Sequence, residues 1–169
     1  MLASGSLRIV VRKSTRYFTV QVVSPRTGGD VVQASAVSKE LSGYDWAGGF
    51  KNTPAAYLTG LLAGLKAKAK GIERAIPDIG LSPSIASSRV FAALRGAVDA
   101  GLEISGDRSV YPSDSRITGQ HIKEYLEAKQ RGLEEQAEKG LPFPARTIDV
   151  PSQFEHVKNR IVSEVGKAE

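Results

Sequence analysis

The stretch Thr53-Pro-Ala-Ala-Tyr-Leu-Thr-Gly-Leu-Leu-Ala-Gly-Leu-Lys-Ala-Lys68 constrains this chain more than any other. Thr53-Pro54 reads as a helix start, a hydroxyl to cap free amides and then a proline whose missing N–H is harmless in the first turn. Tyr57, Leu58, Leu61, Leu62 and Leu65 follow helical spacing, which predicts a helix from Thr53 to Gly71. Ala56, Gly60, Ala63, Gly64 and Ala67 form a second surface, made of small residues. A glycine inside a helix costs about 1 kcal/mol relative to alanine, so two of them imply that another backbone comes unusually close. A sheet packed on that face is the expected neighbour.

The sheet is read from β-branched runs. Leu7-Arg-Ile-Val-Val-Arg-Lys13 and Tyr17-Phe-Thr-Val-Gln-Val-Val23 flank Ser14-Thr15 and predict a hairpin. Pro25 to Asp30 is a turn by composition, and Val31 to Ser35 supplies a third antiparallel strand. Residues 42–52, rich in glycine, read as loop. Ala75 to Leu81 reads as a fourth strand, in which Pro77 cannot donate to a ladder and favours an edge or a bulge. A serine-rich loop leads to a second helix carrying Val90, Phe91, Leu94, Ala97 and Val98 on one face, closed by Gly101. The order predicts an α/β (α+β) fold: a small, mostly antiparallel sheet packed with two main helices. Beyond Leu102 the texture turns polar. A charged helix is expected from about Thr118 to Lys139 with Ile122, Tyr125, Leu126 and Leu133 as a sparse stripe, then a break at Leu141 to Pro144. Ser152-Gln-Phe-Glu155 has capping-box spacing ahead of a last amphipathic helix bearing Phe154, Val157, Ile161 and Val165. The expected organisation is an α/β domain over residues 1–125 and a helical C-terminal extension over 126–169.

Charge is distributed unevenly. Lys and Arg against Asp and Glu number 7 and 3 in residues 1–51, 6 and 3 in residues 52–100, and 10 and 12 in residues 101–169, so the positive excess lies in the first hundred residues and the last third is net acidic. A polyanion, if bound, is expected there. The chain has no cysteine, which removes disulfides and thiolate metal sites and fits a reducing compartment. No uncharged apolar run approaches a membrane span, and the expectation is a soluble, intracellular protein.

Known catalytic patterns do not appear. Neither a G-x-x-x-x-G-K-[ST] loop nor a G-x-G-x-x-G fingerprint occurs, and no serine sits in G-x-S-x-G. His121 and His156, the only histidines, stand among charged helical neighbours and read as solvated surface. One enzyme-like reading gathers Asp30, Asp78 and Asp99 around divalent metal for phosphodiester hydrolysis, although their spacing carries no specific signal. Ahead of that nuclease stands another alternative, a stand-alone protein-interaction module with the acidic C-terminal helices as the binding surface. The basic hairpin is more informative: Arg8, Arg12, Lys13 and Arg16 crowd next to Tyr17 and Phe18. Cations neutralise phosphates and aromatic rings stack on unpaired bases, a combination suited to looped RNA. Against this, strand alternation puts Arg8 and Arg12 on one side and Lys13 on the other, as for the wet face of any half-buried hairpin.

Five blocks together resemble a known family: Arg8 to Ser14, Asn52 to Lys68, Asp78-Ile-Gly-Leu81, Ser88 to Leu102 and Arg116-Ile-Thr-Gly-Gln-His-Ile122. In this order, over roughly residues 7–125, they are similar to the large-subunit ribosomal protein family numbered eighteen, in its archaeal form. The resemblance implies a compact α/β domain without catalysis or cofactor, part of the cytoplasmic large ribosomal subunit. Its implied partners are 5S rRNA in the central protuberance, 23S rRNA and neighbouring proteins including the fifth, with no membrane and no small-molecule substrate. The implied RNA surface comprises Arg8, Arg12, Lys13, Ser14, Thr15, Arg16 and Tyr17 in the hairpin. Lys51, Asn52 and Thr53 before the first long helix, and Ser84, Ser87, Ser88 and Arg89 before the second, complete it. Two departures stand out: only Met1 to Ser6 precedes the first strand where family members carry a basic arm, and Pro77 replaces an ordinary apolar strand residue.

Overall fold

The computed structural model describes residues 5–137 and 149–166, with side chains of the fourth long segment described as far as residue 128. The elements are β1 (Arg8–Lys13), β2 (Phe18–Ser24), β3 (Val31–Val37), α1 (Thr53–Lys68), β4 (Arg74–Asp78), α2 (Arg89–Asp99), β5 (Glu103–Ile104), α3 (Asp114–Thr118), α4 (Gln120–Ala137) and α5 (Val150–Val165). A 3-10 turn over Ser38–Tyr44 carries the chain from β3 towards α1. The expected break at Leu141 to Pro144 lies outside the described residues.

Five strands form one sheet in the order β3-β2-β1-β4-β5. The meander is antiparallel, with Val11 opposite Val20 and Val20 opposite Ala36. The last two strands run parallel to β1, so the sheet is mixed, its longer pairings being the antiparallel ones. Ile9, Val11, Phe18, Val20 and Val22 alternate onto the buried face, as the period of two requires. Pro77 lies opposite Ile9 of β1, beyond the point where β5 stops at Ile104 opposite Ala75. Ile76 donates to Leu7 towards β1, so the missing N–H of Pro77 falls on the side where no strand continues. The proline effect is local.

The small-residue face of α1 meets a helix, not the sheet that its glycines implied. A Cβ on Gly60 would stand 1.8 Å from the Ala93 carbonyl oxygen, and one on Gly64 would stand 3.0 Å from Ala97 backbone. The approach is reciprocal, because a Cβ on Gly96 of α2 would lie 2.1 Å from the Tyr57 carbonyl oxygen. Two glycines on one helix and one on the other let the backbones touch, and α1 is buried nearly all round as a result, with Leu58, Leu62 and Ala63 at 0% exposure. Its buried Thr59 hydroxyl donates to the Ala55 carbonyl at 2.7 Å and needs no other partner.

Several boundaries differ from expectation for local reasons. The α1 cap is Asn52, whose Oδ1 accepts from the Ala55 amide at 2.8 Å, while Thr53 is the first helical residue and is buried. The helix stops at Lys68 and Gly71, with φ +72, turns the chain into β4, which itself ends at Asp78. The expected charged helix is α4, and Gly119 (φ +84) separates it from a short helix, α3, that the sequence had not marked. α5 starts two residues before Ser152, with Asp149 in the cap position and Pro151 in the first turn. The capping box is replaced by a hydrogen bond from the Ser152 hydroxyl to the Asp149 carboxylate.

The apolar stripe of α5 joins the common core. Val150, Phe154, Val157 and Ile161 are all at least nine-tenths buried, and the Phe154 ring stands 5.5 Å from that of Tyr57 in α1. On its polar side Arg160 pairs with Asp45, and Gln153 donates to the Asp45 carbonyl at 3.2 Å. Packing therefore runs across the compositional boundary at residue 125.

Candidate nucleic-acid interface

The hairpin cations fall into two groups. Arg8 is drawn into an ion pair with Asp30, and its other nitrogen lies 3.4 Å from Asp78, leaving its side chain 19% exposed. Arg12 reaches the same carboxylate at 3.0 Å and donates to the Asp78 carbonyl oxygen at 3.0 Å. Burial pushes the Asp78 carboxyl up, but hydrogen bonds from Arg12 and the Gly80 amide, with the charges of Arg12 and Arg8, outweigh it and hold the pKa below its ordinary value. Gly80 is needed here: its φ is +57, and a Cβ would meet the Arg12 guanidinium at 2.9 Å. Asp78-Ile-Gly-Leu81 is thus the seat of an arginine clamp between β1 and β4. Lys13 and Arg16 are exposed and form no ion pair among the described residues.

Ser14 organises the hairpin turn, its hydroxyl accepting from the Tyr17 amide at 3.0 Å and donating to the Tyr17 carbonyl at 3.1 Å. Thr15 and Arg16 stand exposed at the tip. Tyr17 is half-buried, with its ring 5.9 Å from that of Phe50, so it ties the hairpin to the loop before α1. That loop is itself folded over Trp46, whose ring stands 2.7 Å from where a Gly48 Cβ would be.

The ends of α1 and α2 converge. A basin of about 560 Å³ is lined by six of the fourteen sequence-predicted residues, Lys13, Asn52, Thr53, Ser87, Ser88 and Arg89. Arg8, Arg12, Ser14, Thr15, Arg16, Tyr17, Lys51 and Ser84 lie outside it. Arg89 bridges two of the segments by donating to the Lys51 carbonyl at 2.9 Å. Ser87 takes a left-handed conformation (φ 60) and its amide donates to the Val110 carbonyl at 2.8 Å, which sets the approach to α2. Ser88 occupies the cap position of α2 without making a cap hydrogen bond, so the first-turn amides are not satisfied by that side chain. Its hydroxyl oxygen is shut off from solvent and unpartnered. Such a group costs about 1–3 kcal/mol of stability, an expense that a ligand would relieve.

Among the remaining lining residues, two that carry a titratable side chain had no site role in the sequence: Arg116 of α3 and His121 of α4. Both stand in the block Arg116-Ile-Thr-Gly-Gln-His-Ile122, which carried the family resemblance and was the available signal. Burial, and then the nearby Arg116 charge, push the His121 pKa down. Its Nδ1 is buried and without a partner. Three cations, two helix N-termini and no carboxylate line the basin, an arrangement that attracts phosphate.

The carboxylates of the metal-nuclease reading are engaged elsewhere. Asp30 and Asp78 hold Arg8, and Asp99 accepts from the Tyr57 hydroxyl at 2.7 Å while Arg95 stands 3.9 Å away. Burial and that hydrogen bond push the Tyr57 pKa well up, so it stays a neutral donor. No group of three or more His, Cys, Asp or Glu is placed to hold a metal among the described residues. Nor is any described helix long and apolar enough to cross a membrane.

Comparison with known proteins bears on the family of the chain. The family described as ribosomal large subunit proteins 60S L5 and 50S L18 matches residues 3–72. The large ribosomal subunit protein uL18 of Methanothermobacter thermautotrophicus is 45% identical over 166 residues, covering 98% of this chain and 86% of its own. Those of Methanococcoides burtonii and Desulfurococcus amylolyticus are 44% and 46% identical, over 97% and 96% of this chain and 84% of each relative. Identity at that level along nearly the whole chain places it plainly: the chain belongs to the uL18 family of large ribosomal subunit proteins, in its archaeal form.

Proposed function

We propose that this chain is a non-catalytic, structural constituent of the large ribosomal subunit whose immediate partner is 5S rRNA. In that reading it helps to attach 5S rRNA to 23S rRNA in the central protuberance of the cytoplasmic ribosome, beside the fifth large-subunit protein. The observation that carries it is the basin where Lys13, Arg89 and Arg116 meet the N-termini of α1 and α2 with no carboxylate in the walls. Lys13, Arg89 and Arg116 serve as phosphate ligands, and Asn52, Ser87 and Ser88 as donors to phosphate or to the 2′-hydroxyl. Arg16 and Thr15 at the hairpin tip extend the same surface. Arg8 and Arg12 support it from behind by holding β1 to the Asp78 turn.

The test is competition. The purified chain, bound to labelled 5S rRNA at moderate salt, is challenged with unlabelled 5S rRNA or transfer RNA. Displacement by 5S rRNA at far lower concentration is the expected result; equal displacement would reduce the protein to a generic polyanion binder.

A further inference from the structure

Phosphate alone does not account for the basin. A volume of about 560 Å³ falls within the range of sites that enclose a small organic molecule, and one phosphate group would leave most of it empty. Its walls also carry more apolar surface than an anion alone requires. Pro83, Ile85, Val90 and Ile122 line it opposite the cations. Ile85 is 61% exposed, and Leu81 on the same loop is fully exposed. Apolar surface left open beside cations is what a nucleobase needs, a flat ring to cover and a charged backbone to hold.

Two polar groups lie just behind the same walls and come within reach of the basin when their side chains turn. The Ser88 hydroxyl oxygen and His121 Nδ1 are both buried and unpartnered, and both residues line the basin. Nδ1 is the imidazole nitrogen without a partner. The serine hydroxyl can turn about χ1 to donate or accept, and an imidazole nitrogen reads an amino or hydroxyl group.

We propose that the basin is a pocket for one unstacked nucleotide of the bound RNA. Its base lies against Pro83, Ile85 and Ile122, its edge meets His121, and its phosphate lies at the α2 N-terminus with Ser88 and Arg116. This rests on the RNA-binding reading above and adds to it a base contact, where that reading requires only backbone. A nucleotide in a loop or bulge reaches such a pocket, whereas one paired within an A-form helix does not.

Abasic scanning separates base from phosphate. A set of 5S rRNAs, each lacking the base at one unpaired position, is titrated with the parent chain and with Ser88→Ala and Ile85→Ser. Neither variant is expected to unfold, since Ser88 makes no cap hydrogen bond and Ile85 is largely exposed. Matching thermal melts check this. In the parent, one position should lose about tenfold in affinity on removal of its base, within the range for a base contact. In Ile85→Ser that penalty should shrink to below about threefold at that position alone, whereas Ser88→Ala, which removes only a phosphate contact, should weaken binding and keep the penalty. A flat scan in the parent, with selective 5S rRNA binding intact, would overturn the pocket and leave the RNA reading standing. So would a penalty that persists unchanged in Ile85→Ser. Loss of selectivity against transfer RNA in the parent would instead remove the RNA reading, and this inference with it.

Discussion

At the scale of single residues, the α1–α2 contact and the Asp78 clamp are the most sensitive points. Gly60→Ala would gain about 1 kcal/mol of helix propensity, but its Cβ would occupy the space of the Ala93 carbonyl. Backbone cannot yield as a flexible side chain can, so the overpacking cost of about 1–3 kcal/mol or more prevails. Urea denaturation should show Gly60→Ala less stable than the parent, and Gly43→Ala, where a Cβ meets nothing, close to it. Asp78 gives a pH test. Its folded pKa is held below its ordinary value, so its contribution to stability is complete above the unfolded pKa of about 3.9 and is lost as pH falls through the folded value. Asp78→Asn should therefore be destabilised at pH 7, and the difference from the parent should narrow in melts taken towards pH 3. A constant difference across that range would mean that packing, not charge, makes Asp78 important.

At the scale of elements, α5 decides how the chain divides. Its sparse stripe reads as an appendage, yet Phe154, Val157 and Ile161 are each no more than 1% exposed and Tyr57 of α1 lies under them. Phe154→Ala should cost about 3–5 kcal/mol, the usual range for emptying a buried phenylalanine site. A chain ending at residue 125 should unfold at lower temperature than the whole chain, because the apolar face of α1 that α5 covers becomes wet. An unchanged melting temperature would show that residues 1–125 are self-sufficient, as the thin stripe implies.

At the scale of the molecule, charge separates into cations that hold the protein together and cations that the proposed function assigns to RNA. Replacing Lys13 and Arg116 together should flatten the slope of log affinity against log salt by roughly one to two, since each phosphate contact contributes about 0.7 for single strands and 0.9 for duplex. Arg8→Ala should do the opposite, lowering the melting temperature while leaving the slope near that of the parent, because Asp30 and Asp78 already neutralise that side chain. A slope unmoved by the Lys13 and Arg116 exchange would shift the RNA surface to the hairpin tip around Arg16.

The sequence by itself determined the elements and the chemistry they carry. β-branched runs made β1, β2 and β3, leucine spacing made α1, and the family blocks pointed to RNA, because propensity, periodicity and motif are properties of neighbouring residues. Gly60 and Gly64 even announced a close backbone, although not whose: the contact is with α2, about thirty residues on. Tertiary structure decided which charges are available. Arg8 looks like an RNA ligand until Asp30 and Asp78, 22 and 70 residues away, are seen to hold it. Thr53 looks like an exposed cap until it is found buried behind Asn52. Arg116 and His121 look like ordinary helix surface until α3 and α4 bring them to the ends of α1 and α2. Burial and charge neutralisation depend on every group within a few ångströms, whatever its place in the chain, and that neighbourhood exists only once the chain has folded.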